Sequence, residues 1–81
     1  MCRVKAKIMK GIVKSERVAY IKTAEGSRAE IVLNSAHTGR NHIFVAEITR
    51  DKNDVLIELP QETSSGNWRV WVKENQILKV R

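Results

Sequence analysis

Apolar and polar residues alternate from the start of the chain. In RVKAKI, residues 3–8, Val4, Ala6 and Ile8 fall on one side and Arg3, Lys5 and Lys7 on the other. A repeat of two predicts a strand with one buried face. After Met9 the parity slips, so that Met9, Gly11 and Val13 continue the apolar side and Lys10 and Lys14 the polar one. A slip beside a glycine predicts a bulge or sharp bend near residues 9–11. KSER turns the chain into a second strand, RVAYIKT, which ends at Glu25, Gly26 and Ser27. RAEIVLN follows, with Ala29, Ile31 and Leu33 opposed to Arg28, Glu30, Val32 and Asn34.

SAHTGRN, residues 35–41, has no apolar period and reads as a loop. HIFVAEITR is a fourth strand, in which Phe44, Ala46 and Ile48 are placed toward the core and Ile43 and Val45 outward. DKND turns it into VLIELPQE, where Val55, Ile57 and Leu59 share a face; the one proline, Pro60, stands near the strand's end, where a missing N–H does least harm. After TSSGN the sixth strand is WRVWVK. Its two tryptophans lie an odd number of residues apart, so with Val70 and Val72 inward Trp68 is expected in the core and Trp71 outside. Short strands, frequent turns and no helical spacing predict a closed or nearly closed small all-β barrel.

The stretch VWVKENQIL, residues 70–78, resembles the end of an SH3-like barrel. On that resemblance Val72 closes a strand, residues 73–76 make one tight 3-10 turn, and Ile77, Leu78 and Val80 form a short last strand. The implied fold is a single all-β SH3-like domain over residues 1–81, with five to six short antiparallel strands; an OB-like barrel is the competing arrangement. Signalling SH3 domains hold polyproline in a groove built from proline, tyrosine and an early acidic-aromatic motif. Here Lys73 and Gln76 stand at the corresponding positions and the early motif is missing, so polyproline binding is not carried over. Other SH3-like barrels bind RNA or DNA or scaffold enzyme complexes, and the fold alone does not choose among these roles.

Composition narrows the field. With 42% hydrophobic and 30% charged residues in 81, the chain is too apolar for a disordered tail, and its charges interrupt every stretch long enough to span a membrane. Lysines break the apolar run that a signal peptide needs, and the single cysteine, Cys2, cannot form an internal disulfide; both point to a cytoplasmic setting. The net charge of +6 is concentrated: residues 1–14 carry Arg3, Lys5, Lys7, Lys10 and Lys14 with no acid. Such a segment attracts polyanions.

No catalytic constellation is evident. His37 and His42 flank HTGRNH, but a nucleophile needs a base within reach and an oriented third group. With Cys2 they do not make a recognised zinc spacing, and the four glycines are isolated rather than clustered into a phosphate loop. The chain is expected to be a non-enzymatic module with no cofactor, no metal and no small-molecule substrate.

Two binding surfaces remain. An apolar outer face of Val32, Ile43, Val45, Leu56 and Trp71 predicts a protein partner or a homo-oligomer, because contiguous exposed apolar patches usually meet a partner. A row of Arg3, Lys5, Lys7, Lys10 and Lys14, joined by Arg69, Trp71 and Lys73 if the last strands lie beside the first, predicts nucleic-acid binding instead. Alternate residues on a strand lie about 7 Å apart, and five phosphate contacts imply a salt slope of about −4.5.

Overall fold

The computed structural model describes residues 2–78. It is all-β, with eight strands: β1 (Cys2–Lys5), β2 (Lys7–Lys10), β3 (Glu16–Lys22), β4 (Arg28–Asn34), β5 (His42–Asp51), β6 (Asp54–Glu58), β7 (Arg69–Lys73) and β8 (Ile77–Leu78). Single 3-10 turns follow β4 at Ser35–His37 and β7 at Glu74–Gln76. The second is the tight turn that VWVKENQIL led us to expect, with Ile77 and Leu78 in the last strand; Val80 lies outside the described residues.

The strands form two antiparallel sheets, ordered β7-β6-β5-β1-β8 and β2-β3-β4, which do not close into a continuous barrel. β1 and β2 are halves of one bent strand. The bend is at Ala6, whose N–H leaves the second sheet and donates to the Asn41 carbonyl at 3.0 Å. The expected irregularity at residues 9–11 is instead the end of β2. Gly11 donates to the Glu16 carbonyl at 2.9 Å across a short turn, and Met9 and Val13 are exposed rather than continuing the apolar face.

One core fills the space between the sheets. Val4, Ala19, Ile21, Ile31, Leu33, Ile43, Val45, Val55, Ile57, Leu59 and Val72 are its buried members, drawn from both sheets. In β4 and β6 the alternation puts the expected side chains inward. In β5 it does not: Ile43 and Val45 are buried, whereas Ile48 is exposed. The cause is pairing. Val4 lies opposite Ile43 and Cys2 opposite Val45, and directly opposed residues share a face, so the buried Val4 takes Ile43 inward with it. Further along, the register against β6 shifts between Glu47 and Thr49, which leaves Ile48 as the extra, unpaired residue of a bulge.

The sheets are also laced at their edges. Thr63, the one buried polar residue among those described, bridges to Ile31. Its neighbour Ser64 donates through its N–H to the Glu30 carbonyl at 2.8 Å, and Ala24 N–H donates to the Trp71 carbonyl at 2.8 Å. Trp68 contributes only backbone here, accepting from Leu59 N–H at 2.8 Å. Its ring is 53% exposed, which corrects its expected place in the core: β7 begins one residue later, so the strand parity never reaches it.

Candidate binding surfaces

The register of the three-stranded sheet builds its outer face row by row. Lys7 lies opposite Tyr20 and Tyr20 opposite Glu30; one step along, Met9 lies opposite Val18 and Val18 opposite Val32. Met9 is 47% and Val32 42% exposed. An apolar row therefore crosses all three strands, and Val13, also exposed, shares a shallow hollow with Val32. Of the five residues expected in an apolar face, only Val32 belongs to this row. Ile43 and Val45 are core. Leu56 and Trp71 lie opposite one another on the other sheet, turned away from the same core, so they do not extend the patch.

The outer face of β6 and β7 is balanced charge by charge. Arg69 Nε meets Glu58 Oε1 at 3.0 Å, and Lys73 Nζ meets the enclosed Oδ1 of Asp54 at 3.0 Å. These pairs flank Leu56 and the 39% exposed Trp71. Trp71 is outside, as its parity required, but both neighbouring cations already have carboxylate partners. It also borders a cleft of about 600 Å³ between β7 and the β3–β4 hairpin, where Arg28 and Arg69 are offset by Glu25, Asp51 and Asp54. Nearby, Arg50 reaches both oxygens of Glu47, at 2.9 and 3.2 Å, and Glu74 at 2.8 Å. That hydrogen bonding, with the guanidinium charge, holds the Glu47 carboxyl below its ordinary range.

The predicted basic row is divided. Arg3 is half-buried, opposite Phe44 and Leu78. Lys10 pairs with Arg17 and by parity shares the side of Ile8, not that of Lys7. Lys14 sits in the turn before β3, where its carbonyl accepts from Arg17 Nη1 at 2.9 Å. Arg69 and Lys73 do not join the row, because β5 and β6 stand between β7 and β1. Lys5 and Lys7 do remain together, exposed, around a hollow that Lys22 also lines. Lys22 was legible as an outward residue of RVAYIKT, two steps from Tyr20; what the alternation did not contain was which strand it would face.

His42 sits edge-on to Phe44 with ring centroids 5.1 Å apart, and a side chain at Gly39 would collide with the His42 ring. Cys2 is half-buried, and burial, aided by Glu47, raises its thiol pKa, which disfavours the reactive thiolate. Among the described residues no group of three or more His, Cys, Asp or Glu is placed to hold a metal, and no helix is long and apolar enough to cross a membrane. No protein-family model, curated protein or solved structure matches the chain.

Proposed function

We propose that this chain is a small assembly module, an open SH3-like barrel that self-associates through the outer face of β2, β3 and β4. The observation that supports this reading is the apolar row Met9, Val18, Val32, whose two outer members are exposed and whose middle member is half-buried. Contiguous exposed apolar patches usually meet a partner.

The pattern around the row favours a second copy as that partner. Lys7 and Glu30 stand at the two ends of the adjacent row, one on each side of the central strand β3. A two-fold axis along β3 lays Val18 on Val18, Met9 on the partner's Val32, and Lys7 on the partner's Glu30. Apolar residues then meet apolar ones and opposite charges meet at the rim, which is the self-complementarity that an isologous dimer requires.

Light scattering coupled to gel filtration tests the proposal. At tens of micromolar the chain should elute with a dimer's mass, and Val32→Glu should give a folded monomer by circular dichroism. Trp71→Ala, on the other sheet, should remain a dimer. A monomeric wild type at that concentration, or a dimer lost on Trp71→Ala but not on Val32→Glu, would overturn it.

A further inference from the structure

A second site lies where the bent first strand leaves its sheet. In the register of β2 against β3, Lys7 faces Tyr20; continued two residues, that register would set Lys5 opposite Lys22. The chain departs instead at Ala6 to pair β1 with β5, and the gap between β1 and the end of β3 becomes a hollow of about 330 Å³. Ala6 lines it together with Lys5, Lys7, Lys22 and the polar groups of Asn41 and Gln76; Tyr20 completes its wall, and no carboxylate lines it.

Among the described residues Lys5, Lys7 and Lys22 take part in no ion pair, as is true of Lys10 and Lys14; what distinguishes these three is that they line one hollow. Arg28, opposite Lys22, packs its guanidinium 4.3 Å from the centre of the Tyr20 ring. Three mutually repelling ammonium groups around one concavity are relieved by an anion between them. The hollow is open rather than enclosed and carries an aromatic wall. Those features suit a chain of phosphates with bases that stack more than they suit an isolated ion.

We propose that this hollow binds the phosphate groups of a single-stranded nucleic acid, with Lys5, Lys7 and Lys22 as the cationic contacts and Asn41 and Gln76 as hydrogen-bonding groups. The site is narrower than the basic row expected from the sequence: it omits Lys10, Lys14, Arg69, Trp71 and Lys73 and adds Lys22. The site does not require self-association; in the dimer proposed above Lys7 would meet the partner's Glu30, so the two compete for Lys7, and the test leaves Lys7 alone.

The test compares two double variants of equal charge. Fluorescence anisotropy of a labelled 12-nucleotide single strand is measured against wild type, Lys5→Glu/Lys22→Glu and Lys10→Glu/Lys14→Glu at two salt concentrations. Lys5→Gln/Lys22→Gln serves as a milder second variant, and circular dichroism verifies each fold. Three lysine contacts predict a salt slope of about −2, falling by about 1.4 when Lys5 and Lys22 are removed. Loss of affinity of tenfold or more in both Lys5/Lys22 variants, with less than threefold in Lys10/Lys14, supports the site. Equal losses in the two glutamate variants would show attraction to net charge alone, and absent low-salt binding would show none at all; either overturns the proposal. Inorganic phosphate and a mononucleotide, titrated by amide chemical shifts, form the remaining arm: if either binds as tightly as the 12-mer, the hollow is a small-anion site and the nucleic-acid assignment fails.

Discussion

The outer faces of the two sheets handle exposed charge in opposite ways. On β6 and β7 each cation faces a carboxylate across the strand pair, Arg69 with Glu58 and Lys73 with Asp54, and the Leu56–Trp71 pair lies between them. On β2, β3 and β4 an apolar row runs uninterrupted across three strands, and the lysines at the strand bend have no acidic partner among the described residues. The first face neutralises its own charges and leaves Trp71 39% exposed. The second leaves its apolar row partly exposed and its lysines without carboxylates, and that is why binding is proposed there.

The contrast holds only while both faces are carried by one core, so the largest effect comes from the core. Ile57→Ala in β6 and Ile31→Ala in β4 each empty a fully buried position. Such truncations cost about 2–5 kcal/mol, against a total of roughly 4–12 kcal/mol for a chain of this size. Each variant should lower the urea midpoint steeply, and tryptophan fluorescence should report the same transition as far-ultraviolet circular dichroism. Separate midpoints would mean that the sheets fold independently and that their faces belong to different units.

A smaller effect probes the hairpin that joins the faces. Gly26 lies at the tip between β3 and β4 with φ at +91°, and a side chain there meets nothing within 4 Å. Gly26→Ala therefore isolates backbone strain, and a loss of about 1 kcal/mol is expected in thermal unfolding. The tip also carries the Ala24 N–H to Trp71 carbonyl bond. A variant as stable as wild type would show that this turn does not hold the hairpin against β7.

Much of the fold was legible because burial on one face writes itself as alternation. Ile31 and Leu33, or Val55, Ile57 and Leu59, needed only parity. HIFVAEI defeated parity because four apolar residues run consecutively from Ile43 to Ala46, and only the pairing of Val4 with Ile43 decides which pair goes inward. The binding surfaces were less legible for the same reason. Met9, Val18 and Val32 come from three strands, and Lys5 and Lys22 from two, so their adjacency is a matter of register that no local pattern encodes. The assumption that the last strands neighbour the first was right for β8 and wrong for β7, which is why Arg69, Trp71 and Lys73 left the basic row.

The ion pairs on β6 and β7 sharpen the contrast at lower energy. Both are exposed, and such pairs contribute up to about 1 kcal/mol. A double-mutant cycle on Glu58 and Arg69 should give a coupling within that limit, shrinking as salt is raised. More telling is the response of binding: Arg69→Ala should leave oligonucleotide affinity within threefold of wild type, because its guanidinium is already engaged by Glu58. A tenfold loss would return the phosphate contacts to the face that otherwise neutralises itself.

The smallest effect concerns the Glu47–Arg50–Glu74 cluster, where one guanidinium ties β5 to the 3-10 turn before β8. The hydrogen bond from Arg50, and then its charge, lowers the Glu47 carboxyl from its ordinary value of 4.5. A carboxyl that titrates lower in the folded chain than in the unfolded one favours folding above the unfolded value. That contribution is present above about pH 4.5 and is lost as pH falls through the lower folded value. Because Glu47 and Arg50 are exposed, the effect is slight and screened by salt. Wild type should therefore lose slightly more melting temperature between pH 6 and pH 3 than Glu47→Gln does, and the difference should vanish in high salt. Identical losses in the two proteins at low salt would mean that the Glu47–Arg50 pair adds nothing to folding and that Arg50 is held by Glu74 alone.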